Sequence, residues 1–327
     1  MISVSHLTKR YGDFTAVEDL SFTIDDGHVY GFLGPNGAGK STTMNIMTGC
    51  LSATAGKVEI DGCDIFEEPK EAKSRIGYLP EQPPLYMSES PLEYLRFVGE
   101  AKGLRGETLQ KQIRDVVEQT GIETVQNRRI SDLSKGYRQR VGIAQALLGN
   151  PRVIILDEPT VGLDPIQIIE IRDLIRRLGE THTVIFSSHI LSEVQAICDQ
   201  ILIIHKGKLV AFGRPAELEQ QLLAPAELQL TAEATPEETA ALLRGIPDVT
   251  GVETSPCREG ARATLRFAGG DPTALSRSVF FAFAGAGKAL LELSHKKASL
   301  EDLFLQLTED TPEALAGSTE KKGGEAE

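Results

Sequence analysis

The chain has 327 residues with a formal net charge of −13, and 41% of its residues are hydrophobic. This composition is typical of a soluble globular protein with one large domain or two smaller ones. The acidic balance argues against nucleic acid as the main partner, because phosphate binding requires a basic surface. No apolar run reaches about 18 residues, so no membrane span is predicted. The N-terminus lacks a secretory signal pattern, and the 4 scattered cysteines indicate neither a zinc site nor a disulfide framework.

Alternation of apolar and polar residues predicts two strands at the start of the chain. Tyr11 lies in the polar turn between them. It is either a surface tyrosine that packs on its own hairpin or a platform for a nucleobase, since an aromatic ring gains free energy by stacking. The sequence favours neither role.

A glycine-rich segment fits the pattern G-x-x-x-x-G-K-[ST]. Glycines permit backbone conformations in which successive N–H groups point at an anion. Lys40 adds a positive charge that reaches terminal phosphates, and the Ser41 hydroxyl is a ligand for Mg²⁺. An apolar run precedes the segment and a helical pattern follows it, which is the order that phosphate binding needs. The loop comprises Gly34, Pro35, Asn36, Gly37, Ala38, Gly39, Lys40 and Ser41.

A helical pattern interrupts the β-rich sequence between about residues 88 and 150, which predicts an inserted helical subdomain. Ser90 and Pro91 mark the start of its first helix. Near the end of the insert, Ser134 and Gly136 precede a helix that is predicted from Val141. A serine and a glycine in this position form either an ordinary helix cap or an anion-binding end.

Two buried strands follow, and each delivers polar side chains at its carboxyl end. The first runs into Asp157 and Glu158. Ligands bind at this edge of open α/β sheets, so Asp157 is a candidate to hold Mg²⁺ through water, and Glu158 to activate the water that attacks a γ-phosphate. The alternative is a pair that caps a turn. The second strand ends at His189, which is either structural or a hydrogen-bond donor to the γ-phosphate.

In motif order and spacing, residues 1 to about 223 resemble the ATP-binding subunit of ABC transporters. The resemblance implies an α/β fold, namely a P-loop NTPase domain of the ABC type. Its parts are a mixed-sheet core, an antiparallel β subdomain and the helical insert. It also implies that the chain binds ATP and Mg²⁺ and hydrolyses ATP. The implied roles are base stacking by Tyr11, phosphate binding by Gly34–Ser41 and Thr42, metal binding by Ser41 and Asp157, and catalysis by Glu158 and His189.

The resemblance assigns further residues to a two-subunit site. The signature residues Ser134, Lys135, Gly136 and Tyr137 would face the nucleotide of a second subunit, and Asp164 lies in the loop that joins the two sites. Two features depart from the family pattern. Lys135 and Tyr137 stand where glycine and glutamine are more frequent. Glu81 takes the place of the switch glutamine, with Gln82 next, and either side chain could approach Mg²⁺.

One copy of each motif implies a second ATP-binding subunit, expected as a homodimer, because two helix N-termini neutralise ATP better than one. A separate integral-membrane permease is expected to contact residues 83–87 and to hold the chain at the cytoplasmic face of a bacterial membrane. The signature resembles that of subunits serving export permeases. One alternative is a soluble ABC-type ATPase acting on nucleic acid or ribosomes, against which the acidic balance and the single motif set argue. The other alternative is a nucleotide-binding module with an inactive site.

The composition shifts to Ala, Glu, Thr and Pro beyond about Pro225. Residues 224–308 are predicted to form a small α+β accessory domain, with dimer contact or regulation as its candidate roles. The polar segment 309–327 is predicted to be a disordered tail.

Overall fold

The computed structural model describes residues 1–221, 227–247, 249–267 and 272–296, together with Leu300 and Phe304. The chain divides between Pro215 and Ala216 into two compact units. The segment 309–327, predicted as a tail, lies outside the described residues. Among the described residues, no helix combines the length and apolarity needed to cross a bilayer.

The strands and helices alternate along most of the chain. The strands are β1 (Ile2–Tyr11), β2 (Phe14–Ile24), β3 (Val29–Leu33), β4 (Ala55–Ile60), β5 (Cys63–Asp64), β6 (Ile76–Leu79), β7 (Val153–Leu156), β8 (Thr183–Ser188), β9 (Gln200–His205), β10 (Lys208–Gly213), β11 (Glu227–Ala232), β12 (Val249–Cys257), β13 (Gly260–Phe267) and β14 (Leu290–Lys296). The α-helices are α1 (Lys40–Met47), α2 (Pro69–Ser74), α3 (Pro91–Ala101), α4 (Gly106–Thr120), α5 (Lys135–Leu147), α6 (Pro165–Gly179), α7 (Leu191–Ile197), α8 (Pro215–Gln221), α9 (Pro236–Arg244) and α10 (Pro272–Gly285).

A six-stranded sheet in the order β10-β9-β3-β8-β7-β6 forms the centre of the first unit. Its strands pair in parallel except at the β9–β10 hairpin. Strands β3, β7 and β8 are buried along their whole length, which explains their unbroken apolar sequences. Because these three strands run in parallel as direct neighbours, the loops after Leu33, Leu156 and Ser188 meet at one edge of the sheet.

A second, antiparallel sheet in the order β2-β1-β4-β5 packs on the same hydrophobic core. Phe22 of β2 meets Phe32 of β3 edge-on, with ring centroids 5.5 Å apart. Register shifts interrupt the pairing of β1 with β2 after Val4. The hairpin ends by pairing Tyr11 with Phe14, so two exposed aromatic residues stand next to each other at its tip.

The helical insert contains α3, α4 and α5, and two single turns of 3₁₀ helix lie between α4 and α5. Ser90 caps α3 as predicted, and the cap is a reciprocal capping box with Glu93. The last helix begins at Lys135, not at Val141 as predicted. The Ser134 hydroxyl accepts a hydrogen bond from the backbone N–H of Tyr137, so this cap starts the helix early and places Gly136 inside its first turn.

The second unit is an antiparallel sheet in the order β12-β13-β11-β14 with helices α9 and α10. Thr235 caps α9 through a capping box with Glu238. The unit has its own core, which includes Leu228, Leu230, Leu243, Leu265, Val279 and Phe283. The mixed sheet, the antiparallel sheet, the helical insert and this α+β unit confirm the predicted fold class.

Gly77 of β6 offers a test of the packing between the central sheet and α5. A Cβ atom at this position would lie 2.3 Å from the carbonyl oxygen of Ala146. The backbone of α5 cannot move aside without a large energetic cost. Gly77→Ala is therefore expected to lower the free energy of unfolding by about 1–3 kcal/mol and to reduce the Tm in scanning calorimetry. Gly245→Ala is the matched control, because its nearest neighbour would be 3.6 Å away. Equal melting of the two variants would contradict this packing.

Candidate active site

The loop between β3 and α1 has the geometry of an anion cradle. Gly37 and Gly39 adopt positive φ angles of 77° and 104°, which side chains other than glycine rarely tolerate. Gly34 passes so close to β9 that a Cβ atom would lie 2.3 Å from the Ile204 carbonyl oxygen. The first turn of α1 contains no acidic residue, so its N–H groups and its dipole favour an anion.

Lys40 is buried at the start of α1. Its ammonium group donates hydrogen bonds to the carbonyl oxygens of Gly34, at 2.8 Å, and Pro35, at 3.3 Å. It also forms an ion pair with Glu158, with 3.3 Å between Nζ and Oε1. The side chain therefore lies folded along the inner wall of the loop, within reach of both the phosphate cradle and the end of β7.

Two oxygen ligands suited to Mg²⁺ lie side by side. The Ser41 hydroxyl donates to Oδ1 of Asp157 at 3.0 Å, and Ser187 donates to the same oxygen at 2.7 Å. Burial raises the pKa of Asp157, and the two hydroxyl donors oppose that shift. A hydroxyl and a carboxylate are hard oxygen ligands, and Mg²⁺ commonly takes one or two such protein groups with phosphate oxygens and water. The residues present therefore fit the ion.

Glu158 follows Asp157 in a left-handed backbone conformation, with a φ of 46°. This strained geometry turns the carboxylate toward the phosphate loop, and the Ser187 hydroxyl supports it by accepting the Glu158 N–H at 2.7 Å. Oε2 lies 2.9 Å from Nδ1 of His189. Glu158 is thus held between Lys40 and His189, at the edge where β7 and β8 end.

These residues line a cleft of about 490 Å³. Tyr11, Phe14 and Ala16 of the first hairpin line the cleft together with the phosphate loop. The ammonium of Lys9 lies 5.1 Å from the centre of the Tyr11 ring, a cation–π contact that holds the ring in place. The cleft lining is completed by Asn36, Gly37, Ala38, Gly39, Lys40, Ser41, Thr42, Glu81, Glu158, Val161 and His189.

Of the two switch-loop candidates, Glu81 lines the cleft and Gln82 does not. Both side chains are exposed. The loop leaves the sheet at Leu79, and the backbone of Asp157 donates to the Leu79 carbonyl at 2.8 Å. Glu81, the first residue past Pro80, is therefore the one of the two that lies at the cleft.

The signature residues lie in a second cleft, of about 530 Å³, which shares no lining residue with the first. Ser134, Gly136 and Tyr137 line it together with Asp164. Asp164 caps α6 by accepting the N–H of Gln167 at 2.9 Å. Lys135 is directed elsewhere, because a Cβ atom on Gly162 would lie 2.2 Å from its Nζ. The predicted residues thus form two groups on one chain, one at the phosphate loop and one at the signature.

Ser187 is a site residue that the sequence analysis did not identify. Inside an apolar strand it carries no motif signal, and only the pairing of β7 with β8 brings it to Asp157 and Glu158. Phe14 was missed for a similar reason, since the hairpin register places it opposite Tyr11.

Ser187→Ala is expected to lower the apparent affinity of the site for Mg²⁺. The change leaves the buried Glu158 N–H without its acceptor, at a cost of about 1–3 kcal/mol, and removes a donor that favours the charged form of Asp157. The Mg²⁺ concentration for half-maximal ATP hydrolysis should rise several-fold. Ser192→Ala, an exposed serine on α7, is the control and should match the unmodified chain. An unchanged Mg²⁺ requirement for Ser187→Ala would remove Ser187 from the site.

Comparisons with known proteins agree with this geometry. A family model described as ABC transporter matches residues 17–161. The linearmycin resistance ATP-binding protein LnrL of Bacillus subtilis is 32% identical over 309 residues, which cover 94% of this chain and 98% of that protein. The bacitracin transport ATP-binding protein BcrA of Bacillus licheniformis is 41% identical over 212 residues, covering 64% and 68% respectively.

Solved structures give the same result. The chain is similar to cbiO1 from Clostridium perfringens, part of the transporter complex cbiONQ, with a TM-score of 0.62, 29% identity and coverage of 67% of this chain and 90% of that one. It is also similar to the dimeric bacterial ABC transporter cassette MJ0796, with a TM-score of 0.60, 28% identity and coverage of 65% and 98%. The chain therefore belongs to the ATP-binding proteins of ABC transporters, which bind ATP with Mg²⁺ and hydrolyse it.

Proposed function

We propose that this chain is the ATP-hydrolysing subunit of an export transporter and that it works as a dimer on a separate membrane permease. The observation that carries the proposal is that Lys40, Ser41 and the Glu158–His189 pair line one cleft. Asp157 is joined to that cleft by its hydrogen bond from Ser41. A nucleotide-binding module without hydrolysis would not need a carboxylate held beside the phosphate cradle.

The cleft supports a division of roles along the nucleotide. Tyr11 stacks on the base, and the loop from Gly34 to Thr42 binds the phosphates. Lys40 turns from its carbonyl partners to the phosphate oxygens. Ser41 and Asp157 would hold Mg²⁺, which would supply positive charge against the charge developing on the transferred phosphoryl group.

Glu158 accepts the proton of the attacking water, and His189 keeps the carboxylate oriented toward that water. Glu81 contributes an acceptor for water at the metal-facing side of the cleft. Because the backbone of Glu158 and its contact with His189 are in place before the nucleotide arrives, this carboxylate needs little reorganisation at the moment of reaction.

The second cleft supports a dimeric mechanism. Ser134, Gly136 and the N-terminal turn of α5 lie in a cleft of their own, away from the phosphate loop of the same chain. In the dimer this end of one chain closes over the nucleotide of the other, and Asp164 lies at the junction. ATP would then hold two chains together, and hydrolysis would release them.

The permease contact is assigned to an exposed aromatic patch on the helical insert, formed by Tyr86, Met87 and Phe97. The Tyr86 ring packs 5.2 Å from Phe97 and 5.7 Å from the buried Tyr94, so the patch is a preformed surface. Exposed apolar clusters of this kind mark interaction sites. Through it the chain would lie at the cytoplasmic face of the membrane. The names of two relatives support export, since LnrL is named for linearmycin resistance and BcrA for bacitracin transport.

Domain limits of 1–223 for the ATP-binding domain and 224–308 for the accessory domain remain part of the proposal. The second unit has its own core and its own capped helix, which supports independent folding. We assign it a dimer-contact or regulatory role and no part in the chemistry.

The permease contact can be tested by affinity capture of the tagged chain from detergent-solubilised membranes of its own cells. We expect an integral-membrane protein to co-purify, and to be lost when Tyr86 and Phe97 are both replaced by Glu. Phe66→Glu, at an exposed aromatic outside the patch, should leave the capture unchanged. Retention of the same membrane protein by the double variant would contradict the assigned surface, and absence of any membrane protein would contradict the transport role.

A further inference from the structure

Glu193, on α7, is a buried carboxylate outside the motifs described above. It is 3% exposed. Its Oε2 accepts two hydrogen bonds, one from the Thr160 hydroxyl at 2.8 Å and one from the Ser188 hydroxyl at 2.9 Å. Both donors are also buried. One oxygen atom of Glu193 therefore joins two segments that are 28 residues apart in sequence, as the positions of Thr160 and Ser188 give.

The two hydroxyl groups lie next to the reacting pair, that of Thr160 in the loop after β7 and that of Ser188 at the last residue of β8. Thr160 lies two residues after Glu158, in a tight turn where the N–H of Val161 donates to the Glu158 carbonyl at 3.2 Å. Ser188 immediately precedes His189. The Ser188 hydroxyl also accepts a hydrogen bond from the backbone N–H of Ile190 at 3.0 Å. This bond joins the residues that come directly before and after His189.

A carboxylate without a cation is costly to bury, because it loses hydration and gains only hydrogen bonds. Within the part of the chain that the structure describes, no lysine, arginine or histidine forms an ion pair with Glu193. Leucine or methionine would fill the same space without that cost. Unlike leucine or methionine, however, the carboxylate accepts hydrogen bonds from both Thr160 and Ser188.

We propose that Glu193 is a positioning residue for ATP hydrolysis, which fixes the distance and direction between Glu158 and His189 by holding both of their loops to one oxygen atom. The inference rests on the proposed roles of Glu158 and His189. It predicts that Glu193 acts on the chemical step and leaves nucleotide binding intact, because the phosphate loop receives no contact from it. Displacements of about 1 Å at a reacting group can lower a rate by about 100-fold.

The test compares Glu193→Met, which preserves volume but removes the acceptor, with Glu193→Gln, which keeps one acceptor oxygen for both hydroxyl groups. We expect kcat for ATP hydrolysis to fall about 10- to 100-fold in Glu193→Met and to recover to within about threefold in Glu193→Gln. The Kd for ATP and the number of sites per chain should stay unchanged in both. Glu180→Met, at an exposed position after α6, is the matched control.

A purely structural role has a different signature. It would lower the fraction of chains that bind ATP, and with it the apparent rate, without changing kcat per bound nucleotide. Thr160→Val and Ser188→Ala supply a second measurement that leaves Glu193 in place. Each should lower kcat, and the two losses should not multiply in the double variant, since both hydrogen bonds end on one oxygen atom.

The failure of this inference is distinguishable from failure of the proposed function. If Glu158→Gln abolishes turnover while Glu193→Met keeps the unmodified kcat, Glu193 has no positioning role and the proposed chemistry stands. Turnover that survives Glu158→Gln overturns both, because the pair that Glu193 would position is then not the reacting pair.

Discussion

Replacing Glu158 with Gln is expected to lower kcat for ATP hydrolysis about 100-fold or more while leaving ATP affinity intact, since a positioned general base contributes about 10²–10⁴-fold. The amide keeps the shape of the side chain and an oxygen for His189, whose Nδ1 lies 2.9 Å from Oε2. It cannot take a proton from water. Loss of the charge also frees Lys40, whose ammonium is 3.3 Å from Oε1, so the affinity for ATP should be equal or higher.

The same variant should accumulate an ATP-bound dimer, because binding proceeds and the release step does not. Size-exclusion chromatography with light scattering, run with ATP and with ADP, measures this directly. Glu180→Gln at the exposed end of α6 is the control and should hydrolyse ATP normally. Normal turnover in Glu158→Gln would show that this carboxylate is not the base.

Gly136→Asp is expected to abolish hydrolysis from a position outside the cleft that contains the phosphate loop. Gly136 lies in the first turn of α5 and lines the signature cleft. A carboxylate in the first turn of a helix suits the helix dipole, so the chain should fold. It would repel the phosphates of a nucleotide approaching from a second chain, and ATP-driven dimerisation should be lost.

The undimerised Gly136→Asp chain should still bind ATP, with a Kd within about threefold of the unmodified value, because its phosphate loop is unchanged. The comparison variant is Gly136→Ala, which isolates the steric effect. A Cβ atom here would lie 2.7 Å from the Cδ of Gln167, a side-chain atom that can move aside. Equal loss of activity in the Ala and Asp variants would indicate packing, not charge, as the cause.

The sequence was sufficient to predict those parts of the site that are local in the chain. The phosphate loop needs glycine where φ is positive, and Gly37 and Gly39 meet that need. Asp157 and Glu158 were predictable because a buried parallel strand must present its next residues at the ligand-binding edge. In each case the placement of the residues follows from their neighbours in the chain.

Other parts depended on tertiary contacts and could not be predicted. Ser187 and Glu193 carry no local pattern, and their roles arise from hydrogen bonds that span 30 and 33 residues, to Asp157 and to Thr160. Which of Glu81 and Gln82 lines the cleft depends on how the chain folds after it leaves β6. The early start of α5 depended on a single cap at Ser134.

The central claim is that each nucleotide site is made by two chains, the phosphate loop of one and the signature of the other. It is tested most directly by mixing two inactive variants. Lys40→Met disables the phosphate loop and keeps the apolar stem of the side chain, and Gly136→Asp disables the signature. In a mixed dimer, the intact loop of one chain meets the intact signature of the other, which restores one of two sites.

The measurement is the ATPase rate of each variant alone and of an equimolar mixture. If the chains paired at random, half of the dimers would be mixed and each would regain one site, so the mixture should recover up to roughly a quarter of the unmodified rate per chain. Each variant alone should show almost none. A mixture that stays at the average of the two separate variants would contradict the two-chain site.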